Sequence, residues 1–161
     1  MTIKVGDQIP NASFTVMAAD GPKTRSTDEI FGGKKVVLVG VAGAFTPVCG
    51  RQHIPGFIDK ADTFRAKGID TIAVTSVNDA FVMDAWAKSM GAGNKITCLA
   101  DGNGDFAKAL GLSVDLSGLG LGTRSQRYAM LVENGVVRKI NLEKSPGELS
   151  VSSAEAFLNE L

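Results

Sequence analysis

Val36-Val37-Leu38-Val39-Gly40-Val41 runs directly into Ala42-Gly43-Ala44-Phe45-Thr46-Pro47-Val48-Cys49-Gly50. The first run is rich in β-branched residues and apolar on both faces, so it reads as a buried central strand. Small residues and Pro47 end it. Beyond Cys49, Ile54, Phe57, Ile58, Ala61 and Phe64 recur at helical spacing. Cys49 therefore sits at a strand-to-helix junction. A helix start places partial positive charge beside a thiol and favours its thiolate, the reactive form. Pro47 suits the first helical position, whereas Pro55 falls inside the helical pattern and predicts a kink or break there.

Upstream, Ile3 to Val16 is a short apolar–polar alternation broken by Gly6, Asp7 and Pro10, which reads as an N-terminal β-hairpin or extended arm. Ala18 to Arg25 reads as turn, and Thr27 to Phe31 as a helical turn ending at Gly32-Gly33. Downstream, the first helix stops at Lys67-Gly68. Ile69–Val77 and Lys95–Ala100 read as strands, separated by a helix capped at Asn78 or Asp79 and carrying Trp86. Asp105–Leu110 is a short helix. Ser113–Thr123 interleaves Leu and Gly and reads as a loop or broken helix with apolar contacts to offer. Asn134-Gly135 joins two strand-like runs, a strong hairpin signal. Ser152 with Glu155 has the pattern of a capping box for a last helix.

Strands that alternate with helices and close on a hairpin predict an α/β chain. The order is that of a thioredoxin-like fold. It has a central mixed β-sheet flanked by helices and an N-terminal β-hairpin extension, with residues 1–161 in one domain. Seventeen basic and seventeen acidic side chains cancel, so neither a nucleic-acid surface nor an acidic tail is expected. No apolar run is long enough for a signal core or a membrane span, so the expected compartment is the cytoplasm. Two cysteines are too few for a disulfide scaffold.

Thr46 precedes Cys49 by one tight turn, so its hydroxyl can reach the sulfur, donating to it or accepting from an oxygen held above it. These are the needs of a displacement on a peroxide O–O bond, in which charge developing on the departing oxygen requires fixed donors. An Arg would complete the set, and the candidates are Arg51, Arg124, Arg127 and Arg138. Arg51 follows the Cys too closely and is expected in solvent. Arg127 opens a strand expected beside Val36–Val41, where a cation is costly unless paired, so it is the chosen partner.

Ala42 to Cys49, followed by His53-Ile54-Pro55-Gly56-Phe57, resembles the active-site segment of the peroxiredoxins, and more narrowly of the peroxiredoxin 5 (type II, atypical) subfamily. Ser76-Val77-Asn78-Asp79-Ala80-Phe81-Val82, Leu99-Ala100-Asp101-Gly102 and Arg124-Ser125-Gln126-Arg127-Tyr128 resemble further stretches of it, in order. The resemblance implies that Cys49 is a peroxidatic cysteine passing through a sulfenic acid. Thr46 and Arg127 would bind peroxide and activate the thiolate, with Phe45, Pro47 and Val48 at the substrate mouth. It implies reduction of hydrogen peroxide and alkyl hydroperoxides without metal, haem or flavin, and a homodimer packed near the active-site loops. Ala42 departs from the family's usual Pro, and Gly50 from its usual Ser. Thr75 stands in one region where relatives carry a resolving cysteine, so glutathione with glutaredoxin, or thioredoxin, would finish the cycle.

Plainer readings stand beside these. Cys98 reads as a core thiol on an apolar strand. His53, one helical turn after Cys49, is a structural hydrogen-bonding residue or a supporting one. Arg124 supports the site or lies at the surface. Cys49, His53 and Cys98 lack the fourth ligand and paired spacing of a zinc site. Thr46 occupies the position where a Cys-x-x-Cys oxidoreductase needs its first cysteine, so dithiol reductase activity is not expected. A redox-regulated binding module would share every sequence feature of the peroxidase and be separated from it by turnover.

Overall fold

The computed structural model describes residues 2–161. Nine strands and six helices follow one another as β1 (Ser13–Ala18), β2 (Gly21–Ser26), α1 (Thr27–Phe31), β3 (Lys35–Gly40), α2 (Ile54–Asp59), α3 (Ala61–Ala66), β4 (Thr71–Ser76), α4 (Ala80–Ser89), β5 (Thr97–Ala100), α5 (Asp105–Leu110), β6 (Ser113–Asp115), β7 (Thr123–Ser125), β8 (Tyr128–Glu133), β9 (Val136–Leu142) and α6 (Ala154–Asn159). Seven strands form one mixed sheet in the order β2-β1-β5-β4-β3-β8-β9. The run β3-β4-β5 is parallel, and the outer strands join antiparallel. This is the thioredoxin-like arrangement expected.

Strand β3 is central and buried on both sides. Val37, Val39 and Val41 pack with Ile54, Phe57, Phe64, Trp86 and Phe157 on one face. Val36 and Leu38 pack with Phe14, Phe31, Phe106 and Tyr128 on the other. The alternation continues in β8, where Ala129 and Leu131 share the face of Val39 while Tyr128 and Met130 take the opposite one. Because β8 runs antiparallel to β3, its first residue, Tyr128, pairs with Gly40 at the last position of β3. The residue before it, Arg127, is thereby delivered to the end of the sheet where the chain leaves for Cys49.

The helix holding Cys49 begins at Pro47. Cys49–His53 forms a π-helical turn, with the Ile54 N–H donating to the Cys49 carbonyl. Pro55 follows in the first turn of α2. The break expected at Pro55 thus takes the form of a widened turn ahead of it, which lets the proline, lacking an N–H, sit where none is needed.

Four local expectations change. The N-terminal hairpin is β1–β2, over residues 13–26, rather than Ile3–Val16. Residues 3–9 are the extended arm, bonding to Leu110, Gly135 and Val137. Strand β2, read as turn, carries Pro22, Lys23 and Arg25 because it is the exposed edge, where proline and charge are tolerated. Ser113–Thr123 is a small hairpin of β6 and β7 around a 3₁₀ turn at Ser117–Leu119. The last helix is capped by Ser153, which accepts from the Ala156 N–H; Ser152 is buried and bonded elsewhere. The Asn134-Gly135 turn holds as expected, with both residues at positive φ (48° and 78°). Among the described residues no helix is long and apolar enough to cross a membrane.

Candidate active site

Cys49 has no exposed surface. Its sulfur accepts a hydrogen bond from Arg127 Nη2 at 2.8 Å. The Arg127 side chain, 2% exposed, spends its other nitrogens on fixed acceptors. Nε donates to the Pro146 carbonyl at 2.8 Å, and Nη1 lies 2.9 Å from His53 Nδ1. Among the described residues no carboxylate forms an ion pair with Arg127. A guanidinium cannot sit buried without a counter-charge or a full set of acceptors. Here it has two neutral acceptors and one sulfur.

The tautomer of His53 follows from its neighbours. Nε2 faces the Ser152 carbonyl at 2.9 Å and must donate to it, so Nδ1 is the acceptor for Arg127. Burial, and then the Arg127 charge, push His53 down to about 4 from 6.5, which keeps the ring neutral and able to accept. His53 therefore touches Arg127 rather than the thiol, and a direct Cys–His pair is not formed.

Thr46 Oγ1 donates its one proton to the Gly43 carbonyl at 2.7 Å. Of the two roles expected for this hydroxyl, donating to the sulfur is therefore not the one adopted. The oxygen's lone pairs remain for accepting a hydrogen bond from a molecule above Cys49. Val48 and Cys49 lie in the first turn, where backbone N–H groups lack intrahelical partners. Phe45, at φ 65°, is a non-glycine residue in the left-handed region and holds its ring 57% exposed beside exposed Pro47 and half-buried Val48.

Arg124 does not reach the sulfur. Its Nε donates to the Leu121 carbonyl at 2.9 Å and its Nη1 to the Ala42 carbonyl at 3.2 Å, tying the active-site loop to the β6–β7 hairpin. The Asn78 side-chain oxygen accepts from the Ala44 N–H at 3.0 Å on the other flank. Gly50 lets the indole of Trp86 lie close, for a Cβ there would meet Nε1 at 3.3 Å. Arg51 is exposed, as expected. Cys98 is half-buried in a cavity of about 310 Å³ that also takes in Met17, Met83 and Asp84. Burial, with Asp84 adding to it, pushes this thiol up to about 12.

Sequence reasoning missed the segment after β9. Pro146, Ser152 and Glu143 all support Arg127 or His53, two of them through backbone carbonyls that carry no side-chain signal. Buried Glu143 accepts from the N–H and hydroxyl groups of both Ser150 and Ser152.

The Redoxin family model matches residues 4–158. Peroxiredoxin-2E-2, chloroplastic, of Oryza sativa subsp. japonica is 50% identical over 165 residues, covering 99% of this chain and 73% of the relative. Reduced Prx3 from Vibrio vulnificus, solved with hydrogen peroxide, superposes with a TM-score of 0.94 at 48% identity, covering 99% of each chain. Peroxiredoxin 5 from Alvinella pompejana superposes with a TM-score of 0.86 at 37% identity, covering 98% of this chain and 96% of that one.

Proposed function

The chain belongs to the Redoxin family as a peroxiredoxin, a thiol-dependent peroxidase, and on that premise we propose how the reaction is divided among its residues. Cys49, as thiolate, attacks one oxygen of a hydroperoxide in line with the O–O bond. That bond breaks as S–O forms, and the sulfur is oxidised to a sulfenic acid. The departing oxygen takes a proton and leaves as water or an alcohol. Arg127 Nη2 favours the thiolate beforehand and offers a donor to the oxygens in the transition state, aided by the first-turn N–H groups. Thr46 accepts a hydrogen bond from the attacked oxygen's O–H and so orients it. Phe45, Pro47 and Val48 line the mouth and take hydrogen peroxide or a small alkyl hydroperoxide. His53 and Arg124 are positioning residues, the first for Arg127 and the second for the loop.

The observation that carries this division is the buried Arg127 guanidinium, bonded to Cys49 Sγ and, among the described residues, without a carboxylate partner. The cycle closes with an external thiol, since Thr75 is buried on β4 and Cys98 is a protonated thiol on β5. Glutathione with glutaredoxin, or thioredoxin, is the proposed donor. Exposed Phe45, Phe81 (67%) and Leu119 (74%) are the apolar residues offered for a homodimer contact. The two free cysteines fit a reducing compartment such as the cytoplasm.

The test is stopped-flow oxidation by hydrogen peroxide with trapping of the product. Wild type should consume one equivalent rapidly and carry a dimedone adduct at Cys49. A Cys49→Ser variant that turns over at the wild-type rate would sink the assignment.

A further inference from the structure

We infer that Glu143 is a positioning residue for the peroxidase reaction, acting on Cys49 through the 143–152 loop, Ser152, His53 and Arg127. The inference rests on the reading above, in which Arg127 activates Cys49.

The β8–β9 ladder ends with Tyr128 opposite Leu142, and the Glu143 N–H donates to the Arg127 carbonyl at 3.0 Å, extending the ladder by one pair. Arg127 and Glu143 are thus cross-strand neighbours. An acid opposite a base on adjacent strands ordinarily forms an ion pair. Here the two side chains part. Arg127 turns to Cys49, His53 and Pro146. Glu143 turns to four donors, taking Ser150 N at 2.9 Å, Ser150 Oγ at 2.9 Å, Ser152 N at 2.8 Å and Ser152 Oγ at 2.6 Å. Three of these bonds fall on Oε2 and one on Oε1, so both oxygens are engaged by the serines, and the carboxylate makes no ion pair with the guanidinium among the described residues. Burial works against the charge, and the bonds from Ser152 and Ser150 outweigh it, holding Glu143 at about 2 against 4.5.

Two consequences follow from this geometry. The carboxylate draws the loop into a closed turn, which aims the Pro146 carbonyl at Arg127 Nε and the Ser152 carbonyl at His53 Nε2. His53 is thereby held in the tautomer that accepts from Arg127. At the same time the negative charge is kept one relay away from Arg127. A carboxylate bonded directly to the guanidinium would replace the thiolate as its counter-ion. Glu143 both sets the direction of the guanidinium and leaves its charge for the sulfur.

The experiment compares wild type with Glu143→Ala, Glu143→Gln and Arg127→Ala, each first checked by circular dichroism as folded at the assay temperature. Two quantities are read: the rate constant of Cys49 oxidation by hydrogen peroxide, and the pH profile of Cys49 alkylation by iodoacetamide in a Cys98→Ser background. Glu143→Ala should move the midpoint of thiolate formation up by about one pH unit and slow oxidation about tenfold. Glu143→Gln, which keeps an oxygen for Ser152 and a polar group for Ser150, should recover most of both. A folded Glu143→Ala with wild-type profile and rate would overturn the inference, however much its melting temperature falls. So would a Glu143→Gln no better than Glu143→Ala. If Glu143→Ala does not fold, Ser152→Ala decides, with about a threefold loss in rate and a smaller shift supporting the inference and no change overturning it. A normal rate in Arg127→Ala would instead defeat the reading on which this one rests. A slow Arg127→Ala beside an unaffected Glu143→Ala defeats this inference alone.

Discussion

Arg127 Nη2 lies 2.8 Å from Cys49 Sγ although the two residues are 78 positions apart. Two features bring them together, the antiparallel register of β8 on β3 and the helix that starts at Pro47 after the loop leaving β3. Among the described residues no other side chain gives the sulfur a cationic hydrogen-bond donor. Removing the guanidinium should therefore remove both thiolate stabilisation and a transition-state donor. Arg127→Ala and Arg127→Lys should each lower the rate constant with hydrogen peroxide by about a hundredfold or more. Lys fails for a geometric reason, since one ammonium cannot face Pro146, His53 and Cys49 at once as a planar fork does. Stopped-flow oxidation under single-turnover conditions measures this, and a Lys variant near the wild-type rate would contradict it.

His53 makes folding stability depend on pH on the acid side. Its folded value is about 4 and its reference value 6.5, so between these the unfolded chain binds the extra proton. Stability is then complete above about pH 6.5 and falls as pH drops towards 4, by on the order of 3 kcal/mol over the window. Glu143 works in the same direction at lower pH, between 4.5 and about 2. Urea melts at pH 7, 5.5 and 4.5 should show the midpoint falling between each pair. A His53→Gln protein should be flatter between pH 7 and 5. An equally steep loss in that variant would assign the effect to other groups.

Cys98 should be a bystander in peroxide reduction. Its thiol is pushed up to about 12 by burial and by Asp84, so it stays protonated at neutral pH and is a poor nucleophile towards a sulfenic acid. Cys98→Ser should leave the first oxidation step within about twofold of wild type, and mass spectrometry after one equivalent of peroxide should find Cys98 free. A Cys49–Cys98 disulfide would refute this.

The strand-to-helix junction, the partner strand of Arg127 and the Asn134-Gly135 turn were legible because each is carried by a local pattern of side chains. Val36–Val41 is apolar on both faces, and Asn-Gly suits paired positive φ. The edge strand β2 was not legible, because an edge strand needs no inward face and its Pro22 and charges imitate a turn. The cradle of Arg127 was hidden for a different reason. Pro146 and Ser152 act through carbonyls, and Glu143 is buried only because the serines that bond it lie on the same returning loop. No periodicity marks a loop whose function is to aim backbone groups.

Gly40 is required by packing rather than by backbone angle. A Cβ at this position would fall within the ring of Tyr128, which lies across it from the paired position on β8. Both residues are fully buried, so the ring has nowhere to retreat. Gly40→Ala should destabilise the fold by about 3 kcal/mol, read as a lower urea midpoint with an unchanged slope. Tyr128→Ala in the same chain should relieve part of that clash, and a double variant no more stable than the sum of the two single losses predicts would show that the ring is not the obstacle.

On the proposed division of roles, Thr46 serves the binding of peroxide and not the activation of the thiol. Its hydroxyl proton is committed to the Gly43 carbonyl at 2.7 Å, so towards the sulfur it can act only as an acceptor. An acceptor beside Cys49 does not favour the thiolate; it favours a hydrogen-bearing oxygen placed over it. Thr46→Val keeps the volume and removes that acceptor, and Thr46→Ser keeps the acceptor. The pH profile of Cys49 alkylation should therefore be nearly unchanged in both. The rate with hydrogen peroxide should fall by about ten- to a hundredfold in Thr46→Val and by less than about threefold in Thr46→Ser. Iodoacetamide carries no hydroperoxide proton for Thr46 to accept, so it serves as the internal control. A Thr46→Val protein that loses alkylation and peroxide reactivity in equal measure would mean that the hydroxyl holds the loop, and that the orientation of peroxide is done elsewhere.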